Sequence, residues 1–186
     1  MVMQAPARPA TPDLYGDPSR PFTAEDWWAM PETAERYELL HGVLVLMPSP
    51  SRKHQDATLD LAVALRRFAD SDGGWAGVSP LGVTLSDDVV FEPDAMYVSE
   101  ARSHILSERG VDGAPDLVVE VAPPSTRRYD RRDKLPAYFE AGVREVWIVD
   151  PEARTLTVVT VAGETTVPFG DEIPSTVVAI GAGGLR

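Results

Sequence analysis

The run from Leu117 to Val121, Leu-Val-Val-Glu-Val, constrains the fold more than any other segment of the chain. Its apolar side chains would cover both faces of an extended strand, which predicts a strand in the middle of a sheet. Glu120 lies inside this run, and a buried carboxylate is costly unless it is paired or bound to a metal ion. The segment therefore predicts a layered fold with a central carboxylate that needs a partner.

The remaining sequence predicts elements that could cover such a strand. Apolar residues at three- and four-residue spacing predict a helix over 51–70, ended by Gly73 and Gly74. A second helix is expected over 127–140, with Pro136 in its first turn. Alternating and apolar runs predict strands over 37–48 (one bent strand or a hairpin), 75–78, 82–85, 89–98, 145–149, 155–160 and 165–169. The fold class is α/β (α+β), a mixed sheet flanked by helices, with a meander between residues 75 and 98.

Length and composition predict one domain. The 186 residues can bury one sizeable core. Residues 1–20 are rich in Pro and Ala, which predicts a disordered tail before a single domain over 21–186. This tail lacks the apolar core of a secretory signal, and no apolar run reaches the roughly 20 residues of a membrane span. A cytoplasmic protein without a membrane segment is therefore expected.

The chain contains no cysteine, which excludes disulfides, zinc-thiolate sites and cysteine nucleophiles. The composition still allows a metal ion that is bound by oxygen ligands. The formal net charge of −12 opposes a polyanionic partner. Local basic clusters temper that argument, and in one of them Arg127 and Arg131 are candidate substrate-binding residues.

Two aspartates compete to be the partner of Glu120 at a metal ion. Asp116 and Glu120 would lie on one face of a strand but about 13 Å apart, too far to share an ion easily. Asp94 belongs to a different strand and could lie beside Glu120, so we favour Asp94 as the ligand and Asp116 as a supporting residue. Together with the Val121 backbone carbonyl, two carboxylates suit Mg²⁺, with Mn²⁺ as a substitute. An ion pair between Glu120 and an arginine in 127–132 is the alternative.

Three further residues are candidates for the same site. Lys134 is one of only two lysines and stands one turn before Tyr138, so it could face the sheet or be an ordinary solvated helix lysine. Glu38 could be an outer ligand or bond to a neighbouring helix. His54 could be a core histidine, or it could contact phosphate near a helix N-terminus.

Several short segments together carry a family resemblance. They are Tyr37-Glu-Leu-Leu-His-Gly42, Pro48-Ser-Pro-Ser51 with His54-Gln55, Glu92-Pro-Asp94, Ala114-Pro-Asp-Leu-Val-Val-Glu-Val121, Ser125-Thr126, the spaced Asp130, Lys134 and Tyr138, and Ala141-Gly-Val-Arg-Glu-Val-Trp-Ile-Val-Asp-Pro151. In this order they resemble the bacterial Uma-type family of restriction-endonuclease-like proteins. The resemblance covers roughly residues 22 to 180, and its last three segments are quite specific.

That family resembles a branch of the PD-(D/E)XK nuclease superfamily, which implies an α-β-β-β-α-β core with Asp94 and Glu120 as Mg²⁺ ligands. In the superfamily pattern a lysine follows the Glu by two residues, and here that position is Ala122. The resemblance implies that the lysine has moved to the next helix, at Lys134. Nucleases of this superfamily often pair to cut two strands, so it also implies a homodimer.

Two functions follow as hypotheses. The first is an Mg²⁺-dependent endonuclease that hydrolyses phosphodiester bonds in DNA, with Asp94, Glu120, Lys134 and Glu38 as its catalytic residues. The second is a catalytically inactive module with a nuclease fold, which binds a protein or nucleic-acid partner. The net charge of −12 and Ala122 favour the second.

Overall fold

The computed structural model describes residues 20–31, 35–121, 130–181 and 185. Within these residues the strands form two sheets. The first sheet has the order β2-β1-β5-β4-β7, with β1 (Arg36–Leu40), β2 (Val43–Met47), β4 (Val83–Ser86), β5 (Val89–Phe91) and β7 (Val111–Asp112). The second has the order β11-β10-β9-β8-β6-β3, with β3 (Trp75–Val78), β6 (Ala95–Val98), β8 (Leu117–Val121), β9 (Glu145–Asp150), β10 (Thr155–Thr160) and β11 (Gly163–Pro168).

The described helices are α1 (Ala24–Trp28), α2 (Arg52–Asp72), a 3₁₀ helix (Glu100–Ile105) and a π-helical turn (Asp130–Lys134) that continues into α3 (Leu135–Ala141). Two of them, α2 and α3, cover opposite faces of the second sheet, and α1 packs against the first sheet. Buried side chains of α2 pack with Leu117, Val119 and Val121 of β8. Side chains of α3 and of the first sheet pack with Val118 on the opposite face of β8. All five residues of β8 are buried.

The predicted central strand and the predicted fold class are confirmed. β8 lies between β6 and β9, antiparallel to the former and parallel to the latter, so the sheet is mixed. The long helix is also confirmed: Ser51 caps its first turn and Gly73, with a φ of +80°, ends it. Pro136 lies in the first turn of α3, as predicted.

The segment over 37–48 is a hairpin of two strands. Leu40 pairs with Val43 across a two-residue turn, and both turn residues have positive φ, +48° at His41 and +77° at Gly42. Such a turn matches the twist of the strands that it joins. A Cβ added at Gly42 would lie 2.5 Å from the Cβ of Pro21, so glycine is required there for space as well.

The predicted meander between residues 75 and 98 is wrong. The run over 89–98 breaks at Glu92–Asp94 into β5 and β6, which belong to different sheets, and β3 pairs with β6. Residues 1–19 lie outside the described residues, and the disordered tail therefore stays a prediction. The described helices include none whose length and apolar character would let it span a bilayer.

Candidate active site

The break between β5 and β6 brings Asp94 to the end of β8. Ala95 pairs with Val119 in the antiparallel β6–β8 register, and continuing this register by one residue places Asp94 opposite Glu120. The Oδ2 atom of Asp94 accepts a hydrogen bond of 2.7 Å from the Val121 N–H and lies 3.1 Å from His54 Nε2. Two buried carboxylates therefore meet where the N-terminal end of β6 lies beside the C-terminal end of β8.

Lys134 connects these strands to the first sheet. Its Nζ atom lies 2.6 Å from Glu120 Oε1 and 2.8 Å from Glu38 Oε1, and the side chain is 1% exposed. The ammonium also lies 5.1 Å from the centroid of the Phe91 ring, a cation–π contact. Lys134 is therefore a buried, doubly paired cation and not a solvated helix lysine.

Glu38 and Tyr138 complete this network. Glu38 is also almost fully buried, and its Oε1 atom accepts a hydrogen bond of 3.1 Å from the Glu92 N–H. The Tyr138 hydroxyl donates to Glu120 Oε1 at 2.5 Å. Burial, with the nearby carboxylates Glu120 and Glu38, raises the pKa of Tyr138 well above its usual value, so the phenol stays a donor.

Burial dominates the electrostatics of the site. It raises the pKa of Glu120 from 4.5 to about 8; the charge of Lys134 opposes this shift, and Asp130, Glu38 and Asp94 add to it. Burial alone would lower the pKa of Lys134, but Glu120, Glu38 and Asp130 raise it well above its usual value. The site thus holds a permanent cation among more carboxylates than it can neutralise.

A cleft of about 310 Å³ opens beside this network. Asp94, Glu120, Lys134, Glu38, His54 and Val121 line it. The structure therefore brings together six of the residues that the sequence singled out. Their roles in metal binding and catalysis remain predictions.

Other candidates lie elsewhere. Arg131 does not line the cleft, and its Nη1 atom is 2.8 Å from Glu164 Oε2 on β11. Arg127 falls outside the described residues. Asp116 precedes the opposite end of β8, where it accepts a hydrogen bond of 2.8 Å from the Ser99 N–H and pairs with Arg144 at 3.4 Å. Asp116 therefore supports a loop remote from Glu120.

The donor set fits Mg²⁺. No three His, Asp or Glu side chains of the described residues form a ready-made metal cage. Mg²⁺ does not need one, because it usually keeps several waters and binds through one or two carboxylates. Within the described residues no hydrogen bond reaches Asp94 Oδ1 or Glu120 Oε2, which leaves one oxygen on each carboxylate for a cation.

Four residues that line the cleft or hold the network were not among the predicted site residues: Arg36, Glu92, Asp130 and Tyr138. The last three appeared in the segments that carry the family resemblance. Two spacings could have found most of the four. Alternate residues of a strand share a face, which places Arg36 with Glu38. Residues four apart in a helix are neighbours, which links Asp130 and Tyr138 to Lys134.

Comparisons with known proteins agree with this architecture. The profile of the Uma2 family, described as "Putative restriction endonuclease", matches residues 24–181. A search of curated proteins finds no match. Among solved structures, the chain is similar to the crystal structure of a "putative nuclease" from Anabaena variabilis ATCC 29413, with a TM-score of 0.70 and 19% identity over 83% of this chain and 89% of that chain. At this identity the likeness shows the fold alone.

Proposed function

Since the chain belongs to the Uma2 family, described as "Putative restriction endonuclease", we propose that it is an Mg²⁺-dependent nuclease that hydrolyses phosphodiester bonds in DNA. One observation carries the proposal: Asp94, Glu120 and Lys134, which are distant in sequence, meet in one cleft. Carboxylates beside a cationic donor are the groups that metal-assisted phosphodiester hydrolysis uses. The family description supports DNA as the substrate.

The residues that would hold Mg²⁺, or Mn²⁺ in its place, are Asp94, Glu120 and the backbone carbonyl of Val121. When bound, the ion would polarise the phosphodiester and lower the pKa of an attacking water. The protein fixes the position of both carboxylates. Asp94 is held by the Val121 N–H and by His54, and Glu120 is held by the hydroxyl of Tyr138.

Lys134 supplies the positive charge. An ammonium group has three N–H donors, and Glu38 and Glu120 occupy two of them. The third can donate to the attacking water or to a phosphate oxygen, where negative charge develops in the transition state. Glu120 and Glu38 keep the ammonium charged and fix its position, because burial would otherwise favour the neutral amine.

Cleavage assays test this proposal. The purified full chain is incubated with supercoiled plasmid, linear duplex and single-stranded DNA in Mg²⁺, in Mn²⁺ and in EDTA. We expect nicking or cutting that requires the metal and that Asp94→Asn abolishes. Asp70→Asn is the matched control, because Asp70 pairs with Arg66 on the exposed face of α2 and does not line the cleft.

Calorimetry with Mn²⁺ separates the two hypotheses on function. Stoichiometric binding that Glu120→Gln removes supports the metal site even if the cleaved substrate has yet to be found. A protein that neither binds Mn²⁺ nor cleaves any of the three DNA forms is not this nuclease. In that event the inactive binding module replaces the proposal.

A further inference from the structure

Arg36 brings a second permanent cation, besides Lys134, into a cleft whose charged side chains are mostly acidic. It stands two residues before Glu38 on β1, so both side chains lie on the same face of that strand. Arg36 lines the cleft and its side chain is 33% exposed. Its Nε atom lies 3.1 Å from Glu92 Oε2. Five carboxylates line the same cleft: Glu38, Glu92, Asp94, Glu120 and Asp130.

Within the described residues, most of the hydrogen-bonding capacity of Arg36 is unused. A guanidinium carries five N–H donors, and the pair with Glu92 engages only the one on Nε. No described residue accepts a hydrogen bond from either Nη atom of Arg36. The four N–H groups on these atoms form the fork that binds a phosphate through two parallel hydrogen bonds. A solvent-accessible fork in a cleft is an anion-binding group.

Arg36 also lies at a useful distance from the chemistry. The rise of a strand separates the Cα atoms of Arg36 and Glu38 by about 6.6 Å. Glu38 contacts the ammonium of Lys134, and the Glu92 N–H donates to the same oxygen of Glu38. A continuous set of contacts therefore connects the guanidinium to the reactive end of the cleft. The two cations would reach neighbouring positions on a bound strand.

We propose that Arg36 forms a phosphate subsite, in which its Nη groups bind the phosphate adjacent to the one that is cleaved. Glu92 orients the guanidinium through Nε and leaves both Nη groups free for the ligand. This subsite rests on the proposed function, because it requires a nucleic-acid strand in the cleft. It explains how a chain with a net charge of −12 can hold a polyanion: the positive charge is local.

A plainer role for Arg36 would be to neutralise Glu92, and a double-mutant cycle separates the two roles. If Arg36 only neutralises Glu92, Arg36→Gln should weaken DNA binding by exposing a negative charge, and adding Glu92→Gln should restore it. If Arg36 contacts phosphate, the Arg36→Gln/Glu92→Gln double variant stays weak. Glu92→Gln alone keeps the guanidinium and removes one repulsive charge, so it should bind at least as tightly as the wild type.

Binding is measured by fluorescence anisotropy with a labelled short duplex, with Ca²⁺ in place of Mg²⁺. Arg36→Gln is expected to weaken binding about tenfold. The slope of log affinity against log salt, taken between about 50 and 200 mM salt, should become shallower by about 0.9, the value for one lost phosphate contact. Arg36→Lys should keep most of the salt dependence of binding, because it keeps the charge, but it should bind DNA more weakly than the wild type. Arg66→Gln, which breaks an exposed ion pair on α2, is the control and should change neither quantity.

The outcomes are distinguishable. Rescue by Glu92→Gln, or an unchanged salt slope in Arg36→Gln, would overturn the subsite while metal-dependent cleavage by the wild type still stood. Arg36-dependent binding without any cleavage would support the subsite and count against the nuclease. Circular dichroism and thermal unfolding of each variant show whether it is folded. If Arg36→Gln does not fold, Arg36→Lys tests the subsite, because it keeps the charge and lacks the guanidinium fork, and an unchanged affinity would overturn the subsite.

Discussion

Together with Lys134, the hydroxyl of Tyr138 fixes Glu120. It donates to the same oxygen that Lys134 contacts, and the ring packs edge to face against Phe91 with centroids 5.1 Å apart. Tyr138→Phe keeps the ring and removes only the donor. We expect a loss of about 1 kcal/mol of unfolding free energy. We also expect roughly 10- to 100-fold weaker Mn²⁺ binding, since groups that orient metal ligands have effects of this size.

Calorimetry with Mn²⁺ and urea unfolding measure these two effects. Tyr97→Phe is the matched control, because the hydroxyl of this buried tyrosine donates to Asp72 at the far end of α2. The control should lose stability without a change in Mn²⁺ affinity. Equal Mn²⁺ affinity in Tyr138→Phe and the wild type would mean that the hydroxyl does not position a metal ligand.

Glu120 gives the metal-free protein a specific pH dependence. Its pKa is about 8 in the folded protein against 4.5 ordinarily, because burial favours the neutral acid. Between these values the folded state holds a proton that the unfolded state has released. The stability that Glu120 contributes is therefore full below pH 4.5 and is lost as the pH rises towards 8.

Urea unfolding in EDTA across this pH range tests the effect. The unfolding free energy of the wild type should fall more steeply with rising pH than that of Glu120→Gln. Glu140→Gln, an exposed change on α3, should keep the slope of the wild type. Mn²⁺ added at pH 8 should recover stability in the wild type, because a ligand of the folded state stabilises it. Identical slopes in the wild type and Glu120→Gln would contradict the burial argument.

At the scale of elements, the β1–β2 hairpin supplies the residues of the first sheet that line the cleft, among them Arg36 and Glu38. Its turn depends on Gly42, whose positive φ and close approach to Pro21 both exclude a Cβ atom. Gly42→Ala should lower the unfolding free energy by about 1–3 kcal/mol. It should also lower cleavage, because Arg36 and Glu38 lie on β1.

Gly163→Ala is the control for this prediction. Gly163 also has a positive φ, +149°, in the β10–β11 hairpin, but a Cβ added there would meet no atom within 4 Å. Its loss of stability should be smaller, and cleavage should be unaffected. Thermal unfolding and the plasmid assay measure both quantities. A larger effect at Gly163 than at Gly42 would show that the contact with Pro21 is unimportant.

Periodicity predicted the elements better than it predicted their partners. The helix over 51–70 and the strand over 117–121 were predictable, because spacing and continuous burial are local signals. The run over 89–98 looked continuous, since apolar residues flank Glu92, Pro93 and Asp94 on both sides. Which strand pairs with which is a long-range property, and nothing local indicates that the chain changes sheet at Asp94.

The candidate site shows the same division. A charge inside an apolar strand indicated Glu120, and strand geometry favoured Asp94 over Asp116. Arg36 and Glu92 were not predicted as site residues, because an arginine and a glutamate near turns are common on protein surfaces. Their importance comes from the cleft, which exists only once the two sheets are assembled.

For the whole molecule, the two sheets converge where the chain leaves β5 and enters β6. The first sheet supplies Glu38 from β1, the second supplies Glu120 from β8, and Asp94 lies between them. Lys134 bridges Glu38 and Glu120, so it joins the two sheets as well as the carboxylates. Removing one partner of a buried ion pair destabilises a protein by about 3–5 kcal/mol. Assembly of the cleft and stability of the fold are thus coupled through this one side chain.

The net charge of the chain should affect the rate at which DNA associates with this cleft. With a net charge of −12, the chain repels a polyanion over distances beyond the cleft, whereas Arg36 and Lys134 attract it only locally. Added salt screens the long-range repulsion first, since the Debye length falls to about 10 Å at 0.1 M. We therefore expect the association rate with a short duplex, measured by stopped-flow anisotropy in Ca²⁺, to rise with salt up to about 0.1 M and then to fall as phosphate contacts are screened. In Arg36→Gln, the association rate should still rise with salt up to about 0.1 M, but above that concentration it should fall less steeply than in the wild type. A rate that decreases from the lowest salt onward would mean that local basic groups, and not the net charge, govern the encounter.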